Sequence, residues 1–304
     1  MTLTGTILIT GGSGTLGHAI ARTARAEGWD CRITVYSRSE LRQAEMRAHY
    51  PECRYVLGDV RDYDRLAAAF AGHDLVIHAA AMKRIPECEA HSSECVATNV
   101  GGSANVVRAA LAAGVARVVG ISTDKACAAI TTYGASKRLM EGLFQTAHGR
   151  TVFTLCRYGN VLASNGSVIP LWRQQAARGE PLTITDRRMT RFWMTERDAV
   201  RVIEQAATCA TPGVIVVPKM GAVLIADMAE WIVPGCETRE TGLRSTEKLH
   251  EDLVHLFEPA SNTATRFLLY AGADGGVMYR SDIAPQIDRA TFLAMLAESE
   301  ASGD

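Results

Sequence analysis

The sequence predicts an α/β protein: a doubly wound parallel sheet with helices on both faces, followed by a smaller lobe toward the C-terminus. Three observations predict it. Apolar runs and amphipathic stretches alternate strictly over the first 160 residues, and alternation of strand and helix returns each strand parallel to the last. A glycine-rich turn, Thr10-Gly11-Gly12-Ser13-Gly14-Thr15-Leu16-Gly17, follows the first apolar run directly, which makes the sheet one of the Rossmann type. After Asn160 the alternation lapses, and Pro170, Pro181, Pro212, Pro218, Pro234 and Pro259 punctuate shorter elements. The expected organisation is a dinucleotide-binding domain over residues 1–160 and a substrate-binding lobe over residues 161–304, interleaved with late elements of the sheet. A chain of 304 residues can bury a core of that size.

Strands are expected at residues 6–10, 32–36, 53–57, 74–78, 117–121 and 152–157, each a short run rich in Val, Ile and Leu. The first helix is expected over 15–28, ending on Gly28. A polar helix runs on through His49. An alanine-rich helix is expected over 99–114, ending on Gly114, and another over 131–147. No internal repeat is visible, and the last residues, 298–304, read as a frayed tail.

Composition narrows the function classes. The formal net charge is −1, so no broad attraction to nucleic acid or to an anionic membrane is expected. The start of the chain lacks the pattern of a signal peptide, and no apolar run reaches membrane-spanning length; a cytoplasmic protein is expected. The cysteines Cys31, Cys53, Cys88, Cys95, Cys127, Cys156, Cys209 and Cys236 form no CxxC pair. Free thiols in a reducing compartment, and no metal site, are the expectation.

The glycine-rich turn is GxxGxxG between a strand and a helix. Gly11 permits the tight turn, Gly14 lets the backbone approach a pyrophosphate and Gly17 lets the helix pack closely. Ser13, Thr15 and Leu16 complete the cradle at the helix N-terminus, which favours an anion. The second strand ends in Tyr36-Ser37-Arg38. An NAD site usually carries an acidic residue there; a hydroxyl and a guanidinium suit the 2′-phosphate of NADP. Asp59 and Val60 follow the third strand, where the adenine lies. Ala79, Ala80 and Ala81 follow the fourth and leave room for the cofactor backbone.

Tyr133 and Lys137 form YxxxK and share one face of a helix. Lys137 is expected to hold the nicotinamide ribose and to lower the pKa of Tyr133, which takes a proton from a sugar hydroxyl. Ser122-Thr123-Asp124-Lys125 ends the fifth strand. Hydride transfer alone needs a hydroxyl near Thr123 and the tyrosine. An adjacent acid and base point to a second step such as dehydration, in which one group removes a proton and another protonates a departing hydroxyl.

Together these segments resemble the UDP-N-acetylglucosamine 4,6-dehydratases, extended short-chain dehydrogenases/reductases, and in particular their soluble, C5-inverting branch. The resemblance is carried by VYSR at 35–38, GDVRD at 58–62, HAAAMKRIPECE at 78–89, STDKA at 122–126, YGASK at 133–137, RYGNV at 157–161, GSVIP at 166–170, RMTRFWMT at 188–195 and EKLHE at 247–251. The membrane-anchored, retaining branch carries methionine where this chain has Tyr133. The resemblance implies an NADP-dependent lyase acting on a UDP-amino sugar, with Asp124 as the C6 acid, Lys125 as the C5 base, Tyr133 as the C4 base and Thr123 hydrogen-bonded to the 4-hydroxyl. It places Asn160, Ser167, Val168, Arg191, Arg244 and Glu247 around the nucleotide and Lys83 beside the sugar. A homo-oligomer, dimer or hexamer, is also expected. Two departures stand out: Ala128-Ala129 where the family reads Asn-Pro, and Arg244-Ser245-Thr246-Glu247-Lys248 where it reads Arg-Pro-Gly-Glu-Lys.

Two other readings stay open. A UDP-hexose 4- or 5-epimerase of the same fold would use the same cofactor turn and tyrosine. A non-catalytic NADP-binding scaffold would need neither Asp124 nor Lys125.

Overall fold

A computed structural model describes residues 2–162, 168–270 and 275–301. Strands β1 (Gly5–Thr10), β2 (Cys31–Ser37), β3 (Arg54–Leu57), β4 (Leu75–His78), β5 (Arg117–Ile121) and β6 (Val152–Cys156) alternate with helices. The helices are α1 (Thr15–Glu27), α2 (Glu40–His49), α3 (Tyr63–Phe70), α4 (Ile85–Ala90), α5 (Ser92–Val96), α6 (Gly102–Ala113) and α7 (Thr132–Gln145). All six strands are parallel, in the spatial order β6-β5-β4-β1-β2-β3. The order reverses between β1 and β4, and a crevice opens there beyond the strand ends, the place where such sheets bind ligands. Ile7, Leu8, Ile9, Val76, Ile77, Val118 and Val119 are wholly buried, as expected for strands covered on both faces.

The chain then leaves the sheet. Strand β7 (Asn160–Val161), helix α8 (Val168–Ala177), β8 (Leu182–Ile184) and β9 (Thr190–Met194) lead into α9 (Glu196–Thr208). Strand β10 (Ile215–Pro218) returns to pair in parallel with β6. After β11 (Ala222–Leu224), α10 (Ile225–Ile232), β12 (Thr238–Glu240) and β13 (Asp252–Val254), strands β14 (Ala260–Asn262) and β15 (Arg266–Leu269) extend the same sheet. Both added pairings, β15 on β10 and β14 on β15, are antiparallel, and among the described residues the sheet totals nine strands. Strand β16 (Tyr279–Arg280) pairs with β13, and α11 (Arg289–Ala301) is the last element among the described residues.

A second core lies under the excursion. Leu162, Ile169, Trp172, Leu182, Ile184, Trp193, Val223, Met228 and Phe292 pack together apart from the main core. Helix α9 is held at its start by a capping box between Thr195 and Asp198. Its apolar face, Ala199, Val200, Val202, Ile203, Ala206 and Ala207, joins the main core.

One local difference from expectation matters for function. The alanine-rich helix is not continuous, because residues Ala97–Gly101 form a π-helical turn before α6. The turn gives Asn99 a buried position from which its amide meets both the N–H and the carbonyl of Met82, at 2.8 and 2.9 Å, and the Ser136 hydroxyl at 2.9 Å. Asn99 thereby ties the segment after β4 to α7. No described helix is long and apolar enough to cross a membrane.

Candidate active site

The cofactor turn has the shape its glycines require. Gly11 has φ +67°, and a side chain there would meet the Ala80 backbone at 2.8 Å. A Cβ on Gly17 would stand 1.8 Å from the Gly12 carbonyl oxygen, so Gly17 makes room for the turn itself rather than for the sheet. Helix α1 begins after Gly14 with no side-chain cap, leaving its first N–H groups, from Thr15 and Leu16 onward, available to an anion. Uncapped donors, a turn with no room for side chains and the small residues Ala79 to Ala81 opposite together fit a dinucleotide.

The adenosine end is built from β2 and β3. Ser13 donates to Ser37 at 2.9 Å, and Gln43 donates to the same hydroxyl at 3.0 Å. Ser37 is thus buried and held. Arg38 is exposed beside it, 3.6 Å from Asp59. Asp59 is also gripped by Arg61 at 2.7 Å. Val60 packs under Gly102, where a Cβ would meet it at 2.6 Å. Lys83 lies exposed on the segment after β4; partial burial lowers its pKa, and Arg42 adds to the effect. Arg42, one turn beyond Arg38, escaped sequence analysis because a basic residue on an exposed helix has no distinctive signal.

The turn after β5 carries the chemistry. Thr123 caps a short 3₁₀ turn, Asp124–Ala126. Asp124 is wholly buried. Its Oδ1 accepts from the Thr123 hydroxyl at 2.9 Å and from Lys125 Nζ at 3.0 Å, while its Oδ2 has no hydrogen-bond partner among the described residues. Burial works to lower the Lys125 pKa, but Asp124 and then Glu251 more than reverse this and hold it raised. Tyr133, at the start of α7, is buried; burial pushes its pKa up to about 12, and Lys125 and then Thr123 oppose the rise.

This geometry differs from expectation at Lys137. Burial lowers the Lys137 pKa to about 8, with Glu141 opposing. Its ammonium donates to the Ile121 carbonyl at 2.6 Å. The cation whose field reaches the tyrosine is Lys125.

Helix α7 sits tightly on the turn because residue 134 is glycine: a Cβ there would lie 2.2 Å from the Lys125 carbonyl oxygen. Between them, Ala128 has φ +46°, in the left-handed region, and its side chain is exposed. The resemblance leads one to expect asparagine here, a residue that tolerates this conformation, whereas alanine is strained by about 1–2 kcal/mol. Ala128→Gly is therefore expected to stabilise the protein by about 0.5–1 kcal/mol after the entropy cost of glycine. Urea denaturation checks this, and an unchanged or lower midpoint would count against strain at Ala128.

Behind the turn, Arg157 is fully buried between two carboxylates. It meets Glu141 at 2.9 and 2.8 Å and Glu258 at 2.8 and 2.7 Å. Glu141 also accepts from Ser122 at 2.7 Å. The strand end is thus fixed to α7 and to the late segment at 253–258, where the Leu253 carbonyl accepts from Arg157 at 3.0 Å.

The residues expected around a nucleotide are placed unevenly. Asn160 is half-buried in β7 and donates to the Phe192 carbonyl at 3.1 Å. Val168 opens α8, and Ser167 lies outside the described residues. Arg191 directs its guanidinium to the carbonyls of Thr190, Lys248 and Leu249, holding the loop at 244–251. Arg244 is exposed on that loop, and Glu247 closes a small turn with it. Lys248 reaches the Cys127 carbonyl at 2.6 Å. The loop ends at Glu251, buried beside Lys125, which sequence analysis did not select. Among the described residues no group of side chains has metal-binding geometry.

Comparison with known proteins follows the same lines. Residues 7–270 match the model of a polysaccharide biosynthesis protein family. A UDP-N-acetylglucosamine 4,6-dehydratase (inverting) of Campylobacter jejuni is 40% identical over 256 residues, covering 82% of this chain and 77% of that protein. A UDP-glucose 4-epimerase of Rickettsia felis is 40% identical over 269 residues, covering 84% of this chain and 79% of that protein. The X-ray structure of Pen from Bacillus thuringiensis superposes with a TM-score of 0.89 at 32% identity, covering 96% of this chain and 97% of that one.

Proposed function

The chain belongs to the polysaccharide biosynthesis protein family, and from that premise we propose that it is an NADP-dependent dehydratase. Its substrate would be a UDP-linked amino sugar, UDP-N-acetylglucosamine, converted to a 6-deoxy-4-keto sugar with inversion at C5. The observation that carries this reading is the Asp124–Lys125 pair, 3.0 Å apart, with Asp124 wholly buried, hydrogen-bonded to Thr123 and close to Tyr133. An enzyme that only exchanges hydride at C4 has no use for a second proton-transfer pair beside its tyrosine.

The glycine turn, with Ser37 and Arg38, would hold the dinucleotide, whose nicotinamide would supply reversible hydride chemistry between C4 and C6. The rest falls to the protein. Tyr133 accepts the 4-hydroxyl proton, with Thr123 orienting that hydroxyl and Lys125 favouring the phenolate. The C4 ketone acidifies the neighbouring C5–H, and Lys125 removes that proton. Asp124, 3.0 Å from the Lys125 ammonium so formed, passes a proton on from it to the departing 6-hydroxyl, and a proton delivered to C5 from the opposite face as hydride returns to C6 inverts that centre. Lys137, held at the Ile121 carbonyl, is placed to exchange that partner for a ribose hydroxyl. The lobe formed by residues 161–304 would hold the nucleotide, with Arg244, Glu247, Asn160, Ser167 and Val168 near it, and Lys83 at the sugar. Arg191 supports it indirectly through the loop it fixes. The preference for NADP rests on exposed Arg38 with Arg42 one turn away and no acidic side chain at the end of β2.

The Rickettsia felis relative favours a second reading, 4-epimerisation, and one experiment separates the two. Turnover of UDP-N-acetylglucosamine in heavy water is expected to give a product lighter by one water with deuterium at C5. The cofactor released on denaturation is expected to carry the 2′-phosphate; mass spectrometry reads both. A product that keeps its 6-hydroxyl and takes no deuterium at C5 establishes the epimerase instead.

A further inference from the structure

Glu251 is the residue in this site that the scheme above does not use. Its residue is 4% exposed, and its Oε2 has no hydrogen-bond partner among the described residues. Four charged groups face it. Lys125 Nζ stands 3.8 Å away on the turn after β5, with Asp124 behind it. Arg191 Nε on β9 is at 3.8 Å and Lys248 Nζ on its own loop is at 3.9 Å. The backbone is pinned on both sides by Ser281, whose hydroxyl accepts the Glu251 N–H at 3.0 Å and whose N–H donates to the Glu251 carbonyl at 2.9 Å. With its backbone fixed, the carboxylate turns Oε1 to Lys125 and Arg191 and its unpartnered Oε2 to Lys248, so Oε1 is the oxygen poised to exchange a proton with the Lys125 ammonium.

A base must first be unprotonated. Lys125 between two buried carboxylates is held as ammonium, and in that form it cannot take a proton from carbon. We infer that Glu251 is a positioning residue that takes the proton from Lys125 and so frees the amine to act at C5. One proton moves from Nζ to a carboxylate oxygen, converting ammonium and carboxylate into amine and carboxylic acid with no change in total charge. The amine then takes the C5 proton, the C–H electron pair passing toward the C4 carbonyl, and becomes ammonium again. Burial pushes the Glu251 carboxyl up from its ordinary range, with Lys125 opposing and Asp124 adding to the rise, which makes it a better proton acceptor than an ordinary carboxylate. The 3.8 Å separation is of the kind that tightens when substrate closes a site. The loop also carries Arg244 and Glu247, so nucleotide binding and preparation of the base would share one segment.

The inference rests on the reading of Lys125 as the C5 base, and its test separates the two. In E251Q, the rates of water loss and of C5 deuterium uptake are expected to fall about a hundredfold, with KM, bound cofactor and C4 oxidation, seen as reduced-nicotinamide absorbance, little changed. The acid limb of the kcat profile, along which Glu251 must ionise, should disappear in E251Q. E251D, which keeps a carboxylate, should recover part of the rate and the limb. Wild-type rate and profile in E251Q overturn the role of Glu251 alone. So does a variant in which both steps slow together with the profile unchanged in shape, which marks a structural residue. Wild-type protein that neither loses water nor exchanges C5 overturns the reading of Lys125, and this inference with it.

Discussion

Lys125→Ala is expected to lower the rate of water loss and of C5 deuterium uptake by about two to four powers of ten. The variant removes the proposed base and also the cation whose field opposes the high pKa of Tyr133, so C4 oxidation should slow as well. This distinguishes it from E251Q, where the first step survives. The fold should hold, because the two carboxylates left behind, Asp124 and Glu251, can share a proton in place of the ammonium. Cofactor retention should persist, since the glycine turn is untouched. Lys125→Arg should rescue little, because guanidinium stays protonated at any working pH. Assay in heavy water with mass detection decides it: deuterium at C5 at near wild-type rate in Lys125→Ala would remove Lys125 from the mechanism.

The second large effect is on stability. Arg157→Met fills similar volume but leaves buried Glu141 and half-buried Glu258 without their common partner. Breaking a buried ion pair from one side costs about 3–5 kcal/mol, and urea denaturation should show a loss of that order. Replacing Arg157, Glu141 and Glu258 together by apolar residues should recover much of it, because no buried charge is then left alone. Ser122 would still lose its anchor on Glu141, so the triple variant should regain stability without full activity. A loss below about 1 kcal/mol in Arg157→Met would mean that water reaches the carboxylates, as at exposed pairs.

The parallel half of the sheet was legible because its physics is local. The strand at Arg117–Ile121 falls where its apolar run predicts, and α1 and α6 end on Gly28 and Gly114 in left-handed conformation, at φ +63° and +68°. Thr123, Asp124, Lys125 and Tyr133 come together because one strand end and the next helix start carry them all. What stayed hidden depends on distant partners. Nothing in the short run at Ile215–Pro218 says that it returns to β6. Asn99 looked like one polar residue in an alanine-rich helix, and only the π-helical turn gives its amide a task. Glu251 closes a motif in which Glu247 drew attention, and its burial against Lys125 arises from a contact 126 positions apart in sequence.

The return of β10 to β6 sets the order in which the molecule can be made. A ribosome that has released residues up to 160 has delivered the first six parallel strands but neither β10, the seventh, nor Glu258. Until they arrive, β6 is an open edge whose unpaired N–H and C=O groups can recruit another chain, and Arg157 has only one of its two carboxylates. The nascent first half is therefore a sticky intermediate with an incompletely bonded arginine rather than a finished domain, and slow passage through the intervening lobe lengthens its exposure to aggregation.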